Sequence, residues 1–427
     1  MNRIIKLWNA MGPGILLAAA SVGASHLVLS PQAGALFGYQ LLWLVAAAHV
    51  LKYPAFEFGP RYAAATGKNL LHGYARIGGR TQWALWVFLL GTLAQGIGVL
   101  AGVVSVAGCV LWTWSQALNT ELFSVLLTLA IVTLLLTGGF SWLDCLNKIM
   151  MAVLAIATVL VFVPIVPGPE AWRSLVVPSL PPGSMVLVAA MLGWMPTGID
   201  VSVWHSFWTI EKMRVDERQF DPQSDGMDAV RKRRLRVALW DMRAGYLLSL
   251  STGLMFVVMG AVHLSGRGTE LQGVQFAAAL STAYTAVFGR WIYHVFMLTA
   301  FFAMFSTAYT VVDGFSRSFA QCCAVLRPAR FGGEMSRRLY VGFVIGSSTL
   351  ACGILLAVGN PVLLVTGAAL VSLAAAPLLY TFNLLCVMRD IREPSLRPNP
   401  ATVWVARAGI VFMVLALAMT VFVTFGK

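Results

Sequence analysis

The stretch MGPGILLAAASVGASHLVLSPQAGALFGY, Met11–Tyr39, is the part of the sequence that decides the fold. It begins as an apolar helix, is interrupted at Gly23-Ala24-Ser25-His26, and resumes as a second apolar segment. Lipid cannot satisfy the backbone groups that such a break exposes, so a broken membrane helix must line a cavity inside the protein. Many secondary transporters build their substrate sites at breaks of this kind. The stretch therefore predicts the first half-helix pair of a transporter.

The composition of the whole chain is that of a polytopic membrane protein. Of its 427 residues, 59% are hydrophobic and 11% are charged, and apolar runs of about 20 residues recur along the chain. The formal net charge is +13, but the basic residues fall in short connections, so membrane orientation explains them better than nucleic acid. We expect the lipid bilayer as a partner and no nucleic acid. The amino terminus lacks the small-residue cleavage site of a signal peptide.

Eleven apolar runs are long enough to count as spans. They lie roughly at 12–38, 40–62, 83–114, 121–138, 147–166, 184–209, 237–264, 287–321, 338–358, 361–388 and 402–425. Basic residues concentrate in alternate connections, the largest being the hydrophilic segment 211–236, whereas the intervening connections carry little beyond Arg173 and Arg267. This alternation predicts a cell-membrane protein with a cytoplasmic amino terminus and an external carboxyl terminus.

A second break is predicted in the sixth run, at Leu192–Asp200. Pro196 removes a backbone donor there, and Gly198 adds backbone freedom two residues later. Runs 1 and 6 open consecutive groups of five, which is where an inverted repeat places two discontinuous helices. We expect an all-α, single-domain transporter of the five-plus-five type. Its repeats would be about 12–166 and 184–388, and 402–425 would be an additional helix.

Several motifs resemble the Nramp family of divalent metal transporters. They are Met11-Gly12-Pro13-Gly14, Gln32-Ala33-Gly34-Ala35, Phe37-Gly38-Tyr39, Leu41-Leu42-Trp43, Ala65-Thr66-Gly67-Lys68-Asn69-Leu70, Gly138 through Asp144 with Lys148, and Met195-Pro196. The resemblance implies a LeuT-like fold with eleven helices. It also implies transport, with coupling to a second ion as in a symporter.

The family's metal motifs are altered in this chain. The Asp-Pro-Gly-Asn motif falls on Gly23-Ala24-Ser25-His26, so the aspartate becomes glycine and the asparagine becomes histidine. In the sixth span Met195 aligns with the thioether ligand, whereas the neighbouring histidine becomes Thr197. The acidic residues of the third helix have no counterpart, because 83–114 contains Gln95 but no acid or base.

The residues at the two breaks are the candidates for binding the substrate or ion: Gly23, Ala24, Ser25, His26, Met195, Thr197 and Asp200. His26 and Met195 together offer an imidazole and a thioether, which suit a soft or borderline metal ion. The alternatives for His26 are a donor to an organic substrate, a proton acceptor, or a group that satisfies exposed carbonyls. Asp200 either replaces the missing anionic ligand or caps the second half-helix.

Other ionisable groups inside the apolar runs are candidates for coupling, because such groups are costly in a membrane. Glu57 and Asp313 are the two that we single out. Each has an arginine four residues later, Arg61 and Arg317, so a structural ion pair is the alternative for both. We expect Lys52 to reach the membrane interface by extending its side chain.

The sequence thus predicts a secondary transporter that moves a divalent metal ion or a similar small cation by alternating access. It predicts no cofactor beyond the transported ion or solute. A transporter of an amino acid or amine on the same fold is the alternative. A membrane receptor that uses segment 211–236 for its interactions is a third. Motifs of enzymes, such as a Walker segment, HExxH or G-x-S-x-G, do not occur.

Overall fold

The computed structural model describes residues 13–138, 140–217, 227–266 and 276–425, and within these ranges every regular element is a helix. The α-helices are α1 Pro13–Ser21, α2 Ser30–Phe37, α3 Leu42–Thr66, α4 Leu70–Ile77, α5 Trp83–Ser115, α6 Thr120–Thr137, α7 Phe140–Phe162, α8 Pro169–Arg173, α9 Met185–Trp194, α10 Val201–Glu217, α11 Met227–His263, α12 Phe276–Phe288, α13 Ile292–Leu326, α14 Pro328–Phe331, α15 Glu334–Val358, α16 Pro361–Asp390 and α17 Pro400–Phe425.

Seven of the described helices are long and apolar enough to cross a membrane, namely α5, α6, α11, α13, α15, α16 and α17. The pairs α1–α2 and α9–α10, together with α3 and α7, account for the other spans predicted from the sequence. Helix α12 was not predicted; it lies between the seventh and eighth spans.

The hydrophilic connection 211–236 is helical where the structure describes it. Helix α10 extends to Glu217 and α11 begins at Met227, so both ends of the segment are helical. Its Lys, Arg and Glu residues favour helix, and helices prolong readily beyond the apolar region. The middle of the segment, 218–226, and the amino-terminal residues 1–12 lie outside the described residues.

The first helix break lies between α1 and α2. Helix α1 ends at Ser21, and a π-helical turn over Ser25–Leu29 leads into α2. The amides of His26 and Leu27 both donate to the carbonyl of Gly23, at 3.1 and 2.9 Å. A Cβ on Gly23 would press into the side chain of Thr307 in α13, which explains glycine at this position. The break therefore packs tightly against the eighth span.

The second break separates α9 from α10. Helix α9 ends at Trp194, a cis peptide joins Met195 to Pro196, and α10 begins at Val201. The carbonyl of Asp200 accepts from the amide of Val203 at 2.9 Å, so Asp200 stands at the head of α10. Both predicted breaks are thus confirmed as interruptions of a helix.

Glycines hold the first span against α11 at backbone contact. A Cβ on Gly34 of α2 would collide with the carbonyl of Val257, and a Cβ on Gly260 would collide with the carbonyl of Pro31. Small residues at helix interfaces are the usual means of close packing in membranes. This contact fixes the position of the first break relative to the rest of the bundle.

Candidate functional site

A small cavity of about 30 Å³ lies between the two helix breaks. Its walls come from the first and second breaks and from α5, α13 and α16. The polar residues that line it are Ser25, Gln95, Thr197, Asp200, Thr307 and Ser372. Four of the residues predicted from sequence, Ala24, Ser25, Thr197 and Asp200, are among the lining residues.

Asp200 is the charged group of this cavity. Of the described residues that line the cavity, it alone carries a charged side chain, and it is 5% exposed. It also lines a second cavity of about 20 Å³ between α5 and α16, which shares Gln95 with the first. The carboxylate stands at the amino-terminal end of α10, where the helix dipole favours negative charge. A cation in either cavity would therefore meet the same carboxylate.

Gln95 is held in place by a chain of hydrogen bonds across the cavity wall. The Trp194 indole Nε1–H donates to Ser372 Oγ at 3.0 Å, and the Ser372 hydroxyl donates to Gln95 Oε1 at 2.7 Å. The chain connects α9, α16 and α5, so these helices share one polar contact at the level of the breaks. The only polar residue that the sequence analysis noted in the third span is thus part of the site.

His26 lies on a different face of the first span. Its Nε2 donates to the Ser249 carbonyl at 2.9 Å, and Nδ1 lies 2.8 Å from Ser25 Oγ. The Ser249 hydroxyl also lies 3.0 Å from His49 Nε2, and His49 Nδ1 donates to the carbonyl of Val45 at 2.8 Å. The two imidazoles therefore belong to a buried contact between the first span, α3 and α11. Both nitrogens of His26 already have partners within the protein.

Met195 does not line the cavity either, although it is completely buried at the second break. The imidazole and thioether that the sequence suggested as metal ligands are thus not brought together at the cavity in this structure. Among the described residues no group of three or more His, Cys, Asp or Glu side chains is arranged to hold a metal ion. The polar side chains that line the cavity, Asp200 among them, offer oxygen atoms rather than imidazole or thioether groups.

We predict that His26→Ala will lower stability and leave cation affinity nearly unchanged. The substitution removes the buried hydrogen bond from His26 to the Ser249 carbonyl, and such a bond contributes about 0.5–1.5 kcal/mol to stability. Thermal unfolding of the purified protein and uptake by proteoliposomes would measure the two effects. His72→Ala, at a half-buried histidine of α4, is the matched control. Normal stability with abolished uptake would instead make His26 a ligand.

Glu57 and Asp313 are each paired with arginine. Arg61 donates to Glu57 Oε1 from Nη2 at 2.6 Å, and Arg243 lies 3.9 Å from the other carboxylate oxygen. Arg317 donates to Asp313 from Nε at 2.7 Å, and it also pairs with Glu211 of α10. These contacts are the structural ion pairs that the sequence allowed, and a role in coupling stays a prediction.

The expectation that Lys52 reaches the membrane interface is wrong. Its side chain is completely buried, and the ammonium donates to the carbonyls of Leu192 and Thr197 at 3.0 Å each. The sequence shows that Pro196 deprives an upstream carbonyl of its partner, but not that a lysine 140 residues earlier in the chain supplies a new one. Lys52 is one of the ionisable groups within the apolar runs, and its partners at the second break are what the sequence did not predict.

Comparison with known proteins identifies a common family and fold. The family model described as natural resistance-associated macrophage protein-like (Nramp) matches residues 14–423. An uncharacterised protein of Pasteurella multocida (strain Pm70) is 29% identical over 414 residues, which are 95% of this chain and 90% of that protein. A divalent metal cation transporter, MntH, of Yersinia pestis (strain Pestoides F) is 30% identical over 195 residues, 44% of this chain and 46% of the relative.

Two solved structures share the arrangement of helices. A manganese transporter of Eremococcus coleocola superposes with a TM-score of 0.73 at 14% identity, covering 99% of this chain and 89% of that one. Mhp1, a nucleobase-cation-symport-1 family transporter in a closed conformation, gives a TM-score of 0.57 at 16% identity, covering 96% and 93%. The LeuT-like fold that the sequence predicted is therefore confirmed.

Proposed function

The chain belongs to the Nramp family of membrane transporters, and we propose that it moves a small cation, with a divalent metal ion as the leading cargo, by alternating access. In this proposal the cargo binds in the cavity between the two helix breaks. The spans would form two inverted repeats, about 12–166 and 184–388, with 402–425 as an additional helix. The amino terminus would be cytoplasmic, in accord with the alternating loop charges.

The observation that carries the proposal is the position of Asp200. A carboxylate buried at the head of a half-helix, facing a cavity between two breaks, attracts a cation where backbone polar groups are also exposed. An ionisable group inside a membrane protein is costly, so its position at a cavity marks it as a functional candidate.

The oxygen groups beside Asp200 favour a hard cation over a soft one. Ser25, Thr197 and Thr307 contribute hydroxyls to the same walls. Carboxylate and hydroxyl oxygens with retained water suit Mg²⁺ or Mn²⁺, whereas Cd²⁺ prefers sulfur and nitrogen ligands. The relatives named as divalent metal cation transporters support a divalent ion as cargo.

An organic cation is the second candidate, because aromatic residues form part of the walls. Trp194, Trp204 and Phe315 all line the cavity, and the rings of Trp204 and Phe315 meet edge to face at 4.8 Å. Aromatic faces attract organic ammonium ions, and the Asp200 carboxylate in the same walls would meet the positive charge.

Uptake by proteoliposomes tests both candidates. We expect Mn²⁺ flux that Mg²⁺ inhibits more strongly than Ca²⁺ or Cd²⁺, with small amines added as separate competitors. Inhibition by amines alone, without flux of any divalent ion, would favour the organic cation. Liposomes that carry no flux of metal ions or amines would contradict the proposed function.

A further inference from the structure

The side-chain ammonium of Lys52 lies where a free cation would otherwise bind. It lies in the middle of α3 and is 0% exposed. Its Nζ donates to the carbonyls of Leu192 and Thr197 at 3.0 Å and to that of Gly193 at 3.4 Å. An ammonium has three N–H donors and no acceptor, so three carbonyl oxygens match its full capacity.

Two of the three carbonyls, those of Leu192 and Gly193, need a partner because α9 ends there. Pro196 has no N–H to offer the carbonyl of Leu192 four residues earlier, and the carbonyl of Gly193 belongs to the last turn of α9. Unsatisfied carbonyls at a helix carboxyl terminus also carry the negative end of the helix dipole. The end of α9 is therefore a ready-made cation site, and Lys52 occupies it.

Asp200 and Lys52 balance each other across the second break. The ammonium and the carboxylate attract one another, and both are buried. His49, one turn before Lys52 on α3, makes hydrogen bonds that fit a neutral ring, because Nδ1 donates to a carbonyl and Nε2 accepts from the Ser249 hydroxyl. The second break therefore carries one positive and one negative side chain, with no net charge between them.

We propose that Lys52 is a tethered cation that fills the carbonyl site at the end of α9 and limits how tightly Asp200 holds a cationic cargo. The inference rests on the proposed function only in taking Asp200 as the anion that the cargo meets. Since the ammonium cannot leave, every cargo cation shares the carboxylate with it. The repulsion between the two cations grows with the charge of the cargo. This makes Lys52 a residue that sets specificity and aids release.

Direct binding measurements on the full-length protein in lipid nanodiscs test the effect on affinity. Lys52→Met keeps most of the length of the side chain and removes its charge. We expect it to bind Mn²⁺ about a hundredfold more tightly than the unaltered protein, because a nearby repelling charge is gone. Lys68→Met, at an exposed lysine after α3, is the matched control and should not change affinity. Equal or weaker Mn²⁺ binding by Lys52→Met would overturn the inference.

A second measurement tests the carbonyl site without using transport or the cargo. Lys52→Ala leaves the three carbonyls unpaired, so ammonium chloride should raise its unfolding temperature towards that of the unaltered protein. Choline chloride at the same ionic strength is the reference, because choline is too large for the site. The unaltered protein and Lys68→Ala should not respond to ammonium. An ammonium response of Lys52→Ala no greater than theirs would refute the tethered cation.

The two measurements separate the inference from the proposed function. If ammonium rescues Lys52→Ala but no variant binds Mn²⁺, the cation site is real and the proposed metal cargo is wrong. If Mn²⁺ binds and is transported but ammonium has no effect, the proposed function stands and the inference fails.

Discussion

Replacing Asp200 by asparagine is expected to reduce cation uptake at least about a hundredfold. Asparagine has nearly the same shape and can still stand at the head of α10, so the change removes the charge and little else. A full charge within about 4 Å of a cation contributes several kcal/mol in a partly buried setting, and each 1.4 kcal/mol is a factor of ten. Uptake of Mn²⁺ by proteoliposomes, normalised to inserted protein, is the measurement.

The same chemical change at another buried aspartate provides the control. Asp390, at the end of α16, accepts from the Tyr62 hydroxyl at 2.8 Å and pairs with Arg76 at 3.3 Å, away from the cavity lining. Asp390→Asn should therefore affect stability more than affinity. Uptake by Asp200→Asn equal to that of Asp390→Asn would show that the cargo binds elsewhere.

A double variant distinguishes loss of binding from loss of folding. Asp200→Asn leaves the Lys52 ammonium without its counter-charge, and an unbalanced buried charge destabilises a protein. Adding Lys52→Met removes that imbalance of charge, although it also takes the ammonium from the carbonyls at the end of α9. The double variant therefore restores charge balance at the second break without restoring the carboxylate. It should still fail to transport, because the carboxylate is absent. Recovered uptake in the double variant would mean that Asp200 acts only through folding.

The sequence predicted both breaks because proline and glycine interrupt a helix by local chemistry. Pro196 and Gly198 act on their own backbone, and the position of Asp200 just after them follows directly. The position of Asp200 at the cavity could therefore be predicted from the sequence. The same holds for Ser25, which lies beside the first break and lines the cavity.

The orientation of His26 was beyond sequence reasoning. Successive residues of a helix point about 100° apart, so Ser25 and His26 face different neighbours once the helix resumes. The π-helical turn over Ser25–Leu29 shifts that orientation further. Which of two adjacent residues faces the cavity depends on how α2 packs against α11, and that contact joins segments more than 200 residues apart.

Lys52 illustrates a second limit. A lysine within an apolar run reaches either an interface or an internal partner, and local sequence does not distinguish the two. The internal partner here is a set of main-chain carbonyls, which have no residue type to recognise. Only the packing of α3 against α9 brings them to the ammonium.

Disrupting the close contact between the first span and α11 should have a large effect on stability. We expect Gly34→Ala to destabilise the protein by about 3 kcal/mol, because the new methyl group would overlap the main chain at Val257 and Ala261. Backbone cannot move aside as a flexible side chain does, so α2 must shift and carry the first break with it. The unfolding temperature and the yield of folded protein in detergent would both decrease.

Gly367→Ala is the matched variant, and its effect on stability should have the opposite sign. Gly367 lies inside α16, where a Cβ would meet nothing within 4 Å. Alanine favours helix over glycine by about 0.8–1 kcal/mol, so this change should raise the unfolding temperature slightly. The pair thus separates the cost of lost backbone contact from the general effect of replacing glycine in a helix. Equal shifts for the two variants would mean that α2 does not depend on direct contact with α11, and that the first break is positioned by other parts of the bundle.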